Sequence, residues 1–217
     1  MVVLLMGPQG SGKDTQASLL AQNHGFTTLS TGQLLRTEIA HKSEIGLKLE
    51  ALLDQGQLAP DDIIFQILEQ NLVDPKDKNY ALNAVVRTVA QIPFLDTLLE
   101  KKGAKMDKVL LLELSDDTAL ERLANRWYCP VDQKNYHTIY DPPKNDLTCD
   151  LCGTKLIQRD DDKPDAIRQR LKLFHDNAAD IINVYRERGI LVTVDATPSI
   201  SDVAKMIEDY LDLKDTK

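Results

Sequence analysis

The first residues that could do chemistry form a glycine-rich loop, Gly7 to Gln16, directly behind the apolar run Val2 to Met6. Glycines let the backbone curl without Cβ clashes, so that successive N–H groups and the N-terminus of a following helix can point at one anion. Lys13 adds a positive charge for the distal phosphates. The spacing of Gly7, Gly12 and Lys13 is typical of a phosphate-binding loop, although the pattern continues with Ser or Thr and this chain has Asp14. The loop therefore predicts phosphate binding, and a tight strand-to-helix turn is the alternative.

The composition limits the classes of partner. A chain of 217 residues suits one domain with inserted lobes, or at most two domains. The net charge of −8 argues against a general binder of nucleic acid or anionic membranes, because neither attracts an acidic surface. No apolar run is long enough to cross a bilayer, and Met1 leads straight into the first strand. We expect a cytoplasmic protein whose anion sites are locally basic.

Strands and helices alternate along the chain. Five apolar runs predict strands, and the segments between them have the helical spacing of crossover connections; the predicted strands are residues 2–6, 26–30, 80–86, 108–114 and 190–194. Residues 30–59 form a small helical insertion, and the cysteine- and proline-rich stretch before Arg159 predicts a loop-rich or small-sheet lobe. The pattern predicts an α/β fold with a doubly wound parallel sheet, whose ligands bind beyond the carboxyl ends of the strands.

The three cysteines lie in one short region, which suits a metal site better than a disulfide framework. Cys129-x2-Asp132 and Cys149-x2-Cys152 have the spacing of paired zinc knuckles in which one cysteine is an aspartate, and zinc accepts this mixed sulfur and oxygen tetrahedron. The alternatives are a redox pair of Cys149 and Cys152, or His137 as ligand in place of Asp132. Redox chemistry is disfavoured because no thioredoxin-like strand and helix surround the pair.

Taken together, the motifs resemble adenylate kinase in its long-lid form, and the resemblance runs over nearly the whole chain. It rests on motifs in order: the phosphate loop from Gly7 to Gln16, Ser30-Thr31-Gly32-Gln33-Leu34-Leu35-Arg36, Arg87-Thr88 with Gln91, Arg122 and Arg126 before a lid with Tyr136-His137 and Pro142-Pro143-Lys144, Arg159 with the acidic run after it, and Arg170. The resemblance implies a five-stranded parallel sheet of the P-loop kinase type. It also implies a core of residues 1–29, 60–121 and 160–217, a monophosphate-binding insertion of residues 30–59 and a zinc-type lid of residues 122–159.

The resemblance also implies roles for the cationic residues. Phosphoryl transfer brings two polyanions together, so cations must neutralise both while water is excluded. Arg36 and Arg87 are assigned to the acceptor phosphate, Arg126 to the donor phosphates, and Arg159 and Arg170 to the transferring group. Arginine suits these positions because its planar fork binds phosphate oxygens bidentately.

Further contacts are assigned in the same way. The donor side takes Gly10, Ser11, Gly12, Lys13, Asp14 and Thr15 of the loop, with Arg126, Tyr136, His137 and Pro198. The acceptor base is assigned to Thr31, Gln91 and the backbone of Gln57, Leu58 and Ala59, and Ala84 is placed in the same acceptor site. The metal ligands are Cys129, Asp132, Cys149 and Cys152.

Two residues near the expected magnesium site depart from the family. The family pattern after Leu82 begins with an aspartate that helps to hold the hydrated Mg²⁺, and this chain has Asn83. Position 14 is usually glycine in the family, and here it is an acid. We hypothesise that Asp14 supplies part of the charge missing at position 83. Alternatively, Asp14 only stabilises the N-terminus of the helix.

The function implied by the resemblance is adenylate kinase, which uses Mg²⁺ to move the terminal phosphoryl group of ATP to AMP reversibly and carries a structural Zn²⁺ in the lid. One alternative is a kinase for CMP, UMP or GMP. Another is a nucleotide-binding module with feeble catalysis, motivated by Asn83 and Asp14. By analogy we expect a monomer whose partners are small-molecule substrates.

Overall fold

The computed structural model describes residues 1–54, 59–159 and 162–213. In chain order the described elements are β1 (Val2–Met6), α1 (Lys13–His24), β2 (Thr27–Ser30), α2 (Thr31–Ala40), α3 (Glu44–Asp54), α4 (Asp61–Asn71), β3 (Tyr80–Asn83), a 3-10 turn (Val89–Gln91), α5 (Ile92–Lys101), β4 (Lys108–Glu113), α6 (Asp116–Ala124), β5 (Arg126–Tyr128), β6 (Asn135–His137), α7 (Pro164–Glu187), β7 (Leu191–Asp195) and α8 (Ile200–Tyr210).

Five of the strands form one parallel sheet in the order β2-β3-β1-β4-β7. The central strand β1 pairs with β3 through Val2 opposite Tyr80, and with β4 through Val3 opposite Lys108. Every residue of β1 is buried, as expected for a strand covered on both faces. The predicted α/β fold with a five-stranded parallel sheet is therefore confirmed.

The alternating side chains of β1 divide the core into two layers. Val2, Leu4 and Met6 face a cluster that includes α5 and part of α7, whereas Val3 and Leu5 face a cluster built with α1 and α8. This division follows from the two-residue period of a strand. The two layers hold the sheet between helices and fix the directions in which its loops leave.

The strand β3 is shorter than the apolar run that predicts it. The run extends to Val86, and Val85 and Val86 are buried, but the strand ends at Asn83. Ala84 has a φ of 53° and donates its N–H to the carbonyl of Leu5 at 3.2 Å, so the backbone turns away from the sheet there. This turn directs the following residues across the carboxyl edge of the sheet.

Two smaller units extend from this edge. The helices α2 and α3 follow β2 directly, and β5 and β6 form a separate antiparallel pair with Trp127 opposite Tyr136. The prediction of a small sheet in this lobe is confirmed. Within the described ranges, no helix combines the length and hydropathy that a membrane span requires.

Candidate active site

The glycine-rich loop lies between the carboxyl end of β1 and the N-terminus of α1. Gly7 has a φ of 145° and is buried so closely that a Cβ there would collide with the carbonyl oxygen of Leu112. Gly12, which precedes α1, has a left-handed φ of 86°. The loop thus has a shape that side-chain-bearing residues disfavour, as expected of a loop that binds phosphate.

Lys13 folds back over this loop. Its ammonium donates to the carbonyl oxygens of Gly7 and Pro8, each at 2.7 Å, and to Ser11 Oγ at 3.3 Å. The residue as a whole keeps some accessible surface, but protein atoms enclose the ammonium. Burial lowers the pKa of Lys13 to about 7, and the Asp14 carboxylate acts in the opposite direction. The charges of Arg170, Arg87 and Arg126 lower this pKa further.

Asp14 and Asn83 are in direct contact although they are far apart in sequence. The Nδ2 amide of Asn83 donates to Asp14 Oδ1. Asn83 is 3 % exposed, and its Oδ1 is buried without a hydrogen-bond partner. A buried acceptor without a partner costs free energy, so this oxygen is suited to a ligand that donates to it, such as a water of a hydrated cation.

Arg126 and Arg170 share a buried carboxylate. Arg126 binds Asp162 with two nitrogens, Nε at 2.8 Å and Nη2, and Arg170 Nη1 lies 3.7 Å from Asp162 Oδ1. Asp162 is 8 % exposed. The carboxylate therefore balances two guanidiniums that the helix α7 and the first lid strand bring to the same place.

Arg36 and Arg159 meet at one aromatic ring. The Cζ atom of Arg36 lies 5.9 Å from the ring centroid of Tyr128, and that of Arg159 lies 5.6 Å from it. Burial lowers the pKa of Arg36, and the charge of Arg159 is the next cause. Arg87 is exposed in the cleft, but protein surrounds much of its guanidinium, and this burial lowers its pKa.

Two of the residues predicted to contact the acceptor base, Thr31 and Gln91, contact the turn after β3. Thr31 Oγ1 donates to the carbonyl of Ala84 at 3.3 Å. Gln91 Oε1 accepts from the N–H groups of Arg87 at 2.6 Å and Thr88 at 3.2 Å, and its Nε2 donates to Asp61 Oδ1 at 2.5 Å. Gln91 therefore fixes the backbone that carries Arg87. Of the other predicted contacts, Ala59 is half-buried, whereas Gln57 and Leu58 lie outside the described residues.

On the predicted donor side, Arg122 connects the glycine-rich loop to the residues that follow β7. Its Nη2 donates to the carbonyl of Thr197 at 3.2 Å and its Nη1 contacts the carbonyl of Gly10 at 3.5 Å, while its Cζ lies 5.6 Å from the ring centroid of Tyr140. Pro198 follows Thr197 and is exposed. Thr15 is also exposed, on the first turn of α1.

Tyr136 and His137 are neighbours that face different surroundings. Tyr136 is 2 % exposed, and its hydroxyl contacts Cys149 Sγ at 3.4 Å, so that a nucleotide could meet only its main chain. His137 Nδ1 accepts from the N–H groups of Ile139 at 3.1 Å and Tyr140 at 3.2 Å. This geometry requires the Nε2–H tautomer. Burial lowers the pKa of His137 and favours the neutral ring.

The four predicted metal ligands converge. One ligand atom each from Cys129, Asp132, Cys149 and Cys152 lies within 4.8 Å of the others. The two sulfurs of Cys129 and Cys152 are 3.6 Å apart, and Asp132 Oδ2 lies 3.7 Å from Cys129 Sγ and 3.1 Å from Cys149 Sγ. A zinc tetrahedron with sulfur bonds of about 2.3 Å has sulfur–sulfur edges of about 3.8 Å, so the donor set fits zinc.

Three residues of this site are absent from the sequence-based assignments. Asp162 lies in an acidic run, which by itself indicates only a solvated surface, and the partner it binds is visible only in three dimensions. Arg122 stands in a motif of the resemblance, but no role was assigned to it. Tyr128 precedes the first cysteine, and nothing in its sequence context indicates two arginines.

Comparison with known proteins gives a consistent result. A family model described as adenylate kinase matches residues 5–190. The chain is 39 % identical over 212 residues to an adenylate kinase of Methanosarcina mazei, covering 97 % of this chain and 98 % of that protein. It is 37 % identical over 217 residues to one of Streptomyces avermitilis (99 % of each chain) and 37 % identical over 213 residues to one of Archaeoglobus fulgidus (98 % of each).

Proposed function

The chain belongs to the adenylate kinase family, and from that premise we propose which of its residues carry the reaction. It is a nucleoside monophosphate kinase that transfers the terminal phosphoryl group of ATP to AMP, reversibly, to give two ADP. Neither another acceptor nor a catalytically feeble binding module is favoured, because family and relatives point to the same reaction.

The convergence of cations around the phosphate loop is the observation that supports this assignment. Arg126 and Arg170 meet at Asp162, and Arg36 meets Arg159 at Tyr128. Like charges repel, and the single carboxylate of Asp162 neutralises only part of this cluster, so polyanions at its centre would stabilise it. ATP and AMP together supply these anions.

The roles follow from position. Lys13, the loop amides and Arg126 hold the donor phosphates, Arg36 and Arg87 hold the acceptor phosphate, and Arg159 and Arg170 stabilise the charge of the transferring group. The attacking oxygen belongs to an ionised phosphate, so no general base is required. Residues 30–59 and the lid, residues 122–159, close over the nucleotides and exclude water, which suppresses hydrolysis of ATP.

Arg170→Lys tests these roles, because lysine keeps the charge but loses the bidentate fork. We expect kcat to fall by roughly 100-fold, the scale for loss of one preorganised charge-stabilising donor. Arg168→Lys is the matched control, since Arg168 lies on the same helix, its side chain is 66 % exposed, and it pairs with Asp165 at 3.3 Å. If the two variants were equally active, Arg170 would have no role in stabilising the transferring group.

The choice of acceptor is tested with ATP and each of AMP, CMP, UMP and GMP, with and without Mg²⁺. We expect ADP to form rapidly only with AMP and Mg²⁺. Binding of nucleotides without ADP formation would instead favour a binding module.

Magnesium accompanies ATP in this family, where it neutralises phosphate charge and orients the phosphates. We assign its hydration shell to Asp14 and Asn83. The amide of Asn83 anchors one oxygen of Asp14, which leaves the second carboxylate oxygen and the unpaired Asn83 Oδ1 for the waters. A carboxylate next to bound phosphates would be repelled without such a cation.

This assignment predicts that the two positions act as a pair. Asp14→Asn alone removes the charge and should weaken Mg²⁺ binding, whereas Asn83→Asp alone adds a carboxylate to a site that already has one and should not weaken it. The double variant exchanges amide and carboxylate, keeps their hydrogen bond and should recover most of the affinity. Mg²⁺ or Mn²⁺ affinity of the nucleotide complex is measured by titration calorimetry, and additive effects would leave Asp14 as a helix-terminus residue only.

We further propose that the lid carries one structural zinc ion on Cys129, Asp132, Cys149 and Cys152. The lid's own buried apolar cluster is small, consisting of the first two thiols with Tyr136 and Leu156. A metal supplies the stability that so small a core does not. Metal analysis of the purified protein should find one zinc ion per chain.

A further inference from the structure

Tyr128 lies where the lid meets the monophosphate-binding insertion. It is the last residue of β5 and is 8 % exposed. Its ring is overlain by Arg36, which belongs to α2, and by Arg159, which ends the lid. One side chain therefore contacts two cations that come from different parts of the chain.

The ring is held firmly by its backbone. Tyr128 donates its N–H to the carbonyl of Ile157 at 2.8 Å, and Ile157 donates to the carbonyl of Tyr128 at 2.9 Å. On the other side of the strand, Tyr128 pairs with Asn135 of β6. Because β6 holds Tyr128 on one side and the bridge to Ile157 holds it on the other, the ring offers the arginines a fixed surface.

A second contact lies beside the first. Gln133 Nε2 donates to Thr37 Oγ1 at 3.4 Å, and Thr37 directly follows Arg36. The hairpin of β5 and β6 thus meets α2 at two consecutive residues. Movement of the lid against α2 would change the surroundings of Arg36.

Both the hydroxyl and the ring of Tyr128 act on Arg36. Burial and the charge of Arg159 lower the pKa of Arg36, whereas the hydroxyl of Tyr128 raises it, in part through a hydrogen bond. Arg36 Nε is also buried without a hydrogen-bond partner, so the guanidinium retains a donor for an incoming anion. The negative face of an aromatic ring attracts a guanidinium and orients its plane.

We propose that Tyr128 is a positioning residue that orients Arg36 for the phosphate of the acceptor nucleotide, and holds Arg159 beside it for the transferring group, before the acceptor binds. This inference rests on the proposed function, which assigns Arg36 to that phosphate. It goes further in naming an aromatic residue that does not touch the reacting atoms and yet sets the affinity for one of the two substrates.

Tyr128→Leu tests the proposal by removing the aromatic faces and keeping an apolar side chain. The loss of two cation–aromatic contacts should weaken AMP binding about 10-fold, with less than about 3-fold change for ATP. Tyr128→Phe keeps the ring and loses only the hydroxyl, so it should cost clearly less AMP affinity than Tyr128→Leu. The dissociation constants are measured by titration calorimetry, and zinc content and melting temperature show that each variant is folded.

Tyr140→Leu is the matched control, because Tyr140 is another lid tyrosine under an arginine, Arg122 of the donor side. It should affect ATP more than AMP. The proposal is overturned if Tyr128→Leu weakens both nucleotides by the same factor, or if Tyr128→Phe loses as much AMP affinity as Tyr128→Leu.

A double-mutant cycle with Arg36→Lys separates this inference from the proposed function. Arg36→Lys should weaken AMP binding by itself, and in its presence Tyr128→Leu should cost clearly less than 10-fold, because residues that act through one another are not additive. Additive losses would overturn the role of Tyr128. Unchanged AMP affinity in Arg36→Lys would instead overturn the assignment of Arg36 in the proposed function.

Discussion

Asp162 provides the sharpest test of how the cation cluster is held together. Its side chain is 2 % exposed, and the arginines it balances are 16 % (Arg126) and 28 % (Arg170) exposed. Asp162→Asn keeps the size of the side chain and one acceptor oxygen but removes the charge. Because both guanidiniums then lack their buried partner, the free energy of unfolding should fall by about 3 kcal/mol, the lower end of the range for breaking a buried ion pair.

For a chain of this size, such a loss lowers the melting temperature by roughly 6–12 °C. The assay is thermal unfolding of both proteins without ligand, with urea unfolding to give the free energy. Inorganic tripolyphosphate is then added as a polyanion without a base. Since it supplies the missing negative charge, it should stabilise Asp162→Asn more than the unchanged protein and narrow the difference between them.

The control is Asp165→Asn, which removes an exposed carboxylate paired with Arg168 only three residues further along the chain. Exposed pairs of this kind contribute little, so its melting temperature should not change measurably. The reasoning is refuted if the two variants melt together, or if tripolyphosphate stabilises Asp162→Asn no more than the unchanged protein.

Three further perturbations have defined outcomes. The pKa of His137 is lowered in the fold, so the neutral ring is favoured. Its contribution to stability is complete above the ordinary pKa of about 6.5 and is lost as the pH falls below that value. His137→Gln should therefore lose less stability between pH 7 and 5 than the unchanged protein, and an equal loss in the two proteins would contradict this. Cys152→Ser should lower the zinc content and make the lid the first site of proteolysis, whereas unchanged metal content would exclude this thiol as a ligand. Gly46→Ala places a Cβ against the carbonyl of Glu38 and should speed hydrogen exchange in α2 and α3, and unchanged exchange would show that these helices separate freely.

The order of strands and helices could be predicted because fully buried strands are continuous apolar runs and crossover helices separate them. The residue at which β3 ends could not be predicted. Val85 and Val86 are buried and continue the apolar pattern, but the left-handed backbone at Ala84 ends the pairing. Hydrophobicity reports burial and gives no information on the direction in which the backbone leaves a sheet.

The residues of the candidate site could also be predicted only in part. The metal ligands could be predicted from spacing, because ligands in knuckle turns are close in sequence, and they converge as expected. The arginine assignments depend on the resemblance and stay predictions. The roles of Asp162 and Tyr128 required tertiary structure, since each acts through side chains on other elements and leaves no periodic or local pattern.

The ion pair between Arg126 and Asp162 has an architectural consequence. It joins the first residue of β5 to the stretch just before α7, so the segment between them leaves and rejoins the core at nearly the same point. With its ends already adjacent, such a segment adds little to the loop-closure entropy of the core, and its size can change at small thermodynamic cost. We therefore expect that the segment between Asn125 and Asp162 can be exchanged for that of a relative while the protein still folds, provided that the core keeps the carboxylate of Asp162 for an arginine at the start of the new segment.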